Sequence, residues 1–287
     1  MLLQKAAIFL VRLFPLKLAD RLAARSGILV CFLSQRRRNN ISTNLGHIFA
    51  REDIDRSRMN QYLKNTFANY ARCMVDFLRL GFMSRDDFDV EMVGLENVLA
   101  ALEHGRGCVL LTMHIGNWDY AGSYLAARGV PMSALVEETR PEMYELYKRH
   151  RERMGMKTFP LSNAGYGFLH TIKNNRVLAV LGDRDILRNG VTVDFFDGRR
   201  NIPRGLGDIV IKKKMPVLFG YMVLNPAGRG HRYLAFIDEP VFFTRTESEF
   251  NECMVRRLEQ FIRLYPDQWM LFESDWVGEQ CGKVQAA

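Results

Sequence analysis

What most constrains this chain is a change of hydrophobic rhythm near Gly81. Ahead of it, Tyr62, Leu63, Phe67, Tyr70, Cys73, Met74, Phe77 and Leu78 recur at helical spacing, and Gly81 is a natural stop. Beyond it, short apolar runs alternate with amphipathic stretches. The runs predict strands over 108–113, 131–136, 177–181, 191–196, 216–223 and 233–237. The intervening pattern predicts helices over 117–128, 141–154, about 202–213 and 248–264, the second opened by Pro141, whose fixed φ suits a first turn. Such an order predicts an α/β fold, a mixed sheet flanked by helices, with a helical N-terminal membrane-associated extension. No repeat or Gly/Ser/Pro-rich linker divides it. The expected organisation is a membrane-contact segment over 1–34 and one domain over 35–287, helical over 35–81 with an α/β core over 88–275.

The first 34 residues crowd Ile8, Phe9, Leu10, Val11, Leu13, Phe14, Leu16 and Leu18 among Lys5, Arg12, Lys17, Asp20, Arg21 and Arg25. The charges interrupt any run of roughly 20 apolar residues that a bilayer span would need, and no convincing cleavage site marks a signal peptide. Large apolar side chains beside basic ones suit a helix lying in the headgroup region. The run Gln35-Arg36-Arg37-Arg38 would add attraction to an anionic membrane surface. A core helix followed by a solvated arginine run is the plainer alternative.

The formal net charge of +8 narrows the partners to anionic ones: nucleic acid, acidic lipid or an acidic carrier protein. Nucleic acid is set aside, because no zinc-finger spacing, aromatic RNA-binding signature or strongly basic helix accompanies the charge. Lys212-Lys213-Lys214 reads as a solvated helix face more readily than as a carrier contact. Cys31, Cys73, Cys108, Cys253 and Cys281 are scattered and odd in number, which argues against a disulfide framework or zinc site and for a reducing compartment. No P-loop, dinucleotide fingerprint or His-Glu-x-x-His pair is present, and no metal or cofactor is expected.

One short segment carries chemistry. His114 directly follows the apolar run 108–113, Gly116 permits a tight turn, Asn117 is a good helix N-cap, and Asp119 falls in that helix's first turn. An imidazole at a strand's carboxyl end lies where open α/β sheets bind ligands. A carboxylate on one ring nitrogen would fix the tautomer, leaving the other to take a proton from a hydroxyl. Judged by spacing alone, a structural role is the commoner one for such a pair.

The stretch Met113-His114-Ile115-Gly116-Asn117-Trp118-Asp119 resembles the His-x4-Asp/Glu motif of the bacterial lipid A late acyltransferases and the related phosphatidylinositol mannoside acyltransferases. The resemblance continues through Glu137-Glu138-Thr139-Arg140-Pro141-Glu142, Arg151 followed by Gly155, Gly182-Asp183-Arg184-Asp185, Gly190 to Phe196, Pro203-Arg204-Gly205 and Tyr265 to Met270, so that it spans roughly 35–275. Two departures bear on the substrate pocket: Phe195-Phe196-Asp197-Gly198 is one residue longer than the family's Phe-Phe-Gly, and Leu206-Gly207-Asp208 replaces small residues.

The resemblance implies a glycerolipid-acyltransferase-like fold and transfer of a fatty acyl chain to a glycolipid hydroxyl. The donor would be acyl-carrier protein or acyl-CoA, and the expected acceptor is a lipid A precursor. A phosphatidylinositol mannoside is the alternative acceptor. A lysophospholipid or glycerophosphate is a weaker one, because that family's Phe-Pro-Glu-Gly-Thr-type block is missing. A non-catalytic membrane scaffold is disfavoured by the presence of both His114 and Asp119. By resemblance His114 is the base and Asp119 its partner, and Glu137, Arg151, Asp183, Arg184 and Asp185 bind substrate. The implied location is the cytoplasmic face of a bacterial inner membrane.

Overall fold

A computed structural model describes residues 2–278, with side chains from Ile8 onward. Cys281 and the rest of the expected domain beyond 278, like the Lys5 side chain, lie outside the described residues. Four helices come first: α1 (Leu2–Leu13), α2 (Leu16–Leu33), α3 (Gln35–Ile48) and α4 (Arg56–Arg79). Then follow β1 (Val90–Val93), α5 (Leu95–Glu103), β2 (Cys108–Thr112), α6 (Trp118–Ala127), β3 (Met132–Val136), α7 (Pro141–Glu152), β4 (Lys157–Pro160), α8 (Ala164–Lys173) and β5 (Val177–Leu181). The chain closes with β6 (Val191–Phe195), β7 (Gly198–Ile202), α9 (Leu206–Lys213), β8 (Val217–Leu224), β9 (Tyr233–Ile237) and α10 (Glu247–Leu264).

Seven strands form one sheet in the order β1-β9-β8-β2-β5-β3-β4. Every pairing in it is parallel except β8 with β9, and β6 and β7 stand apart as an antiparallel hairpin. The α/β reading of the sequence therefore holds, with a mostly parallel sheet. The helix expected over 202–213 is corrected at its start: Ile202 ends β7, and the helix opens at Leu206 after Gly205, which has φ +80°. The edge strands β1 and β4, the hairpin strand β7 and the helices α5 and α8 are additional to the elements expected.

Helices cover both faces, as a parallel sheet requires. Alternation along β2 sends Val109, Leu111 and then Met113 toward the core shared with α3, α9 and α10. Cys108 and Leu110 go to the opposite core, shared with α5, α6 and the Cys73–Phe77 side of α4. Thr112 and His114 continue that second face.

The N-terminal segment is packed onto the body. Ala19, Ala23, Gly27 and Cys31 recur every four residues as the buried face of α2. They let α2 lie so close to α4 that a Cβ at Gly27 would stand 2.3 Å from the carbonyl oxygen of Phe67. Asp20 meets Arg72 at 3.3 Å and Arg232 at 2.6 Å, and Arg232 in turn pairs with the buried Asp76. Burial drives the Asp76 pKa up against the pull of Arg232 and Tyr233. The outward faces of α1 and α2 carry Phe9, Leu13, Leu18, Leu29, Phe32 and Leu33, all exposed. No helix among the described residues is long and apolar enough to cross a membrane.

Candidate active site

Strand pairing assembles the polar centre. β2 and β5 are adjacent and in register, with Thr112 opposite Leu181. Two residues beyond each lie His114 and Asp183, which brings them together across a sequence gap of 69 residues. His114 Nδ1 stands 2.9 Å from Asp183 Oδ1, and the His114 backbone N–H donates to Oδ2 at 3.0 Å. Trp269 Nε1 donates to the same Oδ2 at 2.9 Å. Asp183 is fully buried. Burial alone would raise its pKa, but His114 and the three donors outweigh it and bring the carboxyl down to about 2. An ionised carboxylate is an acceptor only, so Nδ1 carries the hydrogen, and in the neutral ring the lone pair is on Nε2.

The expected hydrogen bond from His114 to Asp119 is not made. Asp119 instead accepts from Arg151 Nε at 2.6 Å. The reason lies in the turn between them: Gly116, at φ +57°, and Asn117 redirect the chain, and α6 starts at Trp118. Asn117 caps that helix as expected, accepting from Tyr120 N at 3.1 Å while its amide donates to the Cys73 carbonyl and to Tyr233. Arg151, in the last turn of α7, is mostly buried; desolvation works against its charge, yet Asp119 holds its pKa above the ordinary value. Only its Nε is used, and its two Nη groups have no protein acceptor among the described residues.

His114, Asp119 and Arg151 border a cavity of about 250 Å³ on the second face of the sheet. Its wall is otherwise largely apolar, with Met74 and Phe77 from α4, Leu110 from β2, Ala134 from β3, Tyr147 from α7 and Met156. Trp118 borders it too, its ring edge-on to His114 with centroids 5.1 Å apart. A polar mouth over an apolar interior suits a ligand with a reactive head and a hydrocarbon body.

The model of the family "bacterial lipid A biosynthesis acyltransferase" matches residues 1–277. The chain belongs to that family. Its relatives include the phosphatidylinositol mannoside acyltransferase of Mycolicibacterium smegmatis, 25% identical over 76% of this chain and 73% of the relative. The protein of the same name from Mycobacterium tuberculosis is 27% identical over 74% of this chain and 69% of its own. The lipid A biosynthesis acyltransferase of Haemophilus influenzae is 24% identical over 92% and 83%. The protein is thus an acyltransferase, of a family concerned with lipid and glycolipid biosynthesis.

Within this acyltransferase the remaining candidates separate by place. Glu137 lies at the cavity mouth and accepts from Arg184 Nη1 at 3.1 Å. Arg184 also holds Glu273 at 2.5 Å and does not line the cavity. Asp185 accepts from the Gly190 backbone at 2.7 Å, which makes it a turn brace outside the cavity wall. The extra residue of Phe195-Phe196-Asp197-Gly198 sits at the tip of the β6–β7 hairpin, where Asp197 meets His47 at 2.5 Å. Neither it nor Leu206-Gly207-Asp208 reaches the cavity.

Sequence reasoning assigned no role to Trp269, the donor behind Asp183, or to Gln268. The Gln268 side chain bonds both the N–H and the carbonyl of Leu224 at 2.8 Å, and its own carbonyl accepts from Gly116. Met270 N donates to the His114 carbonyl at 2.7 Å. The 268–270 strip thereby clamps the histidine turn. The signal available was the block Tyr265 to Met270, whose likeness to the family marked the segment without saying what it touches. Arg200 was also missed. It is fully buried among Phe195, Trp269 and Trp276, and its three guanidinium nitrogens lack hydrogen-bond partners among the described residues. Among the described residues, no group of three His, Cys, Asp or Glu side chains is arranged to hold a metal ion.

Proposed function

We propose that the protein transfers a fatty acyl chain from a thioester donor, acyl-carrier protein or acyl-CoA, to a hydroxyl of a membrane glycolipid, with His114 as general base. The observation that carries this is the His114–Asp183 pair at the mouth of an apolar cavity. The acyl chain lies in the cavity, with its thioester carbonyl beside His114. The acceptor hydroxyl oxygen forms the new ester bond as its proton passes to Nε2. The C–S bond breaks, and the imidazolium returns that proton to the departing thiolate. Asp183 holds the ring in the tautomer with a free Nε2 and stabilises the imidazolium that forms. Arg151, oriented by Asp119, offers its free Nη groups to the charge developing on the carbonyl oxygen or to a substrate phosphate. Glu137, Arg184 and Asp185 shape the rim and its loop. No step needs a metal.

The acceptor we favour is a lipid A precursor, in keeping with a family match that runs nearly end to end. A phosphatidylinositol mannoside is the second reading, supported by the mycobacterial relatives. The site of action is the cytoplasmic face of a bacterial inner membrane, with the exposed apolar side chains of α1 and α2 against the lipid. His114→Ala is expected to abolish acyl transfer while leaving thermal unfolding and membrane recovery nearly unchanged. Turnover near the wild-type level would end the base mechanism. Mass spectrometry of lipids from cells with and without the gene identifies the acceptor, and the mass difference gives the chain length.

A further inference from the structure

A second apolar space lies behind the first. A groove of about 460 Å³ runs between α1, α2 and α4, and Phe272 closes one part of it. Helix α4 is the partition: Ala71, Val75 and Leu78 line the groove, while Cys73 and Phe77 line the His114 cavity. Tyr70 and Met74, one helical turn apart, border both. On α2 the groove wall is built from Ala19, Ala23, Ser26 and Gly27, side chains too small to fill it. Its outer lip is Leu10, Leu22 and Val30, each groove-lining and yet 38–46% exposed. Among the described residues the sole charged side chain in the lining is Arg37, which is exposed and has no acidic partner there.

From this arrangement we infer that the groove is a second hydrocarbon site, which takes one tail of the acceptor lipid while an anionic headgroup rests on Arg37. Two features select this occupant. Tyr70 and Met74 line both spaces, so a tail in the groove lies against the same side chains that border the His114 cavity, where an acceptor hydroxyl must reach. A cation at the end of an otherwise apolar channel matches an anionic amphiphile, not an apolar peptide. The outer lip opens onto the same exposed apolar face that is proposed to meet the membrane, so a tail can enter without crossing water. That the tail belongs to the acceptor rests on the function proposed above; the capacity to hold a tail does not.

The test uses the full chain and vesicles of phosphatidylcholine containing phosphatidylinositol with a diazirine at the end of one acyl chain. Photolabelling is expected on groove-facing residues of the 19–30 and 67–78 segments, and equally in His114→Ala, since binding needs no turnover. Ala71→Trp and, at an exposed position, Ser26→Trp fill the groove and are expected to lower that labelling about tenfold. Arg37→Ala should lower it about fivefold. Unlabelled phosphatidylinositol mannoside and an unlabelled lipid A precursor serve as competitors; the one that the enzyme acylates should compete more strongly than phosphatidylglycerol, which shares the tails and the charge but has no acceptor sugar to place at His114. Labels confined to Phe9, Leu13 and Phe32 would overturn the proposal in favour of surface contact alone. Indifference to both tryptophan variants, or cross-linked dimers in place of lipid adducts, would overturn it as well. Equal competition by phosphatidylglycerol would overturn the assignment to the acceptor. Labelling intact in a wild-type chain that transfers no acyl group to a glycolipid would instead count against the function, so the two failures are distinguishable.

Discussion

Asp119 and Asp183 both lie at the carboxyl edge of the sheet, beside the same histidine, and they do different work. Asp119 is in the first turn of α6, a favourable place for a negative charge, and it grips Arg151 from α7. Asp183 is in the loop after β5, sealed from solvent, and receives two donors from His114 and one from Trp269. The first carboxylate is near His114 in sequence, and the second is near it in bonding. Sequence proximity to a catalytic side chain thus says little about which group orients it when a tight turn intervenes and a neighbouring parallel strand ends alongside.

The comparison is most directly broken by the two isosteric amides. Asp183→Asn must turn its oxygen toward the His114 and Trp269 N–H donors, which presents its NH2 to Nδ1 and forces the proton onto Nε2. Turnover should fall by about 10³–10⁴, as expected when a base is locked in the wrong tautomer. Asp119→Asn keeps a hydrogen bond to Arg151 but weakens its positioning, and a loss of about 10² is expected. Steady-state kcat for both variants checks the order; a larger loss in Asp119→Asn would return the orienting role to the motif's own carboxylate.

Acid unfolding sharpens the same contrast. The Asp183 pKa is depressed in the folded protein, to about 2. Its contribution to stability, about 2–3 kcal/mol, is therefore complete above the unfolded value near 3.9 and is lost as pH falls through that value toward 2. Equilibrium denaturation at a series of pH values should show this slope in the wild type and not in Asp183→Asn. The smallest effect is expected from Trp269→Phe, which removes one of the three donors. A roughly tenfold fall in kcat, with the His114 hydrogen bonds retained, is the expected result; no change in kcat would mean that the histidine contacts alone hold Asp183.

Much of the fold was legible because long periodic segments announce themselves. The 3.6-residue pattern of α4 and the apolar runs of β2, β5 and β8 all appear where expected. The omissions have physical causes. β1 and β4 are short edge strands of four residues, and β4 ends in Pro160, so neither carries the continuous apolar run of a buried strand. Helix α8 contains Gly165 and Gly167, poor helix formers. At Gly167 a Cβ would stand 3.0 Å from the Leu135 side chain and 3.2 Å from that of Phe159, so the helix packs closely on β3 and β4 there. β7 reads as Arg199-Arg200-Asn201, too polar for a strand in isolation, yet it pairs with β6 and buries Arg200 among aromatic rings.

At the site, His114, the Asn117 cap and the strand-to-helix turn could be read from local sequence, because a strand end, a turn glycine and a cap are local chemistry. The membership of Arg151 and Asp183 came from resemblance, without their partners. What only the tertiary structure decided was the pairing: Asp183 with His114, Asp119 with Arg151, and Trp269 behind them. Those contacts depend on the sheet order that sets β5 beside β2 and on the register that aligns Thr112 with Leu181. Both are set by packing across the whole sheet, and a linear pattern of residue types does not encode which strand will be a neighbour.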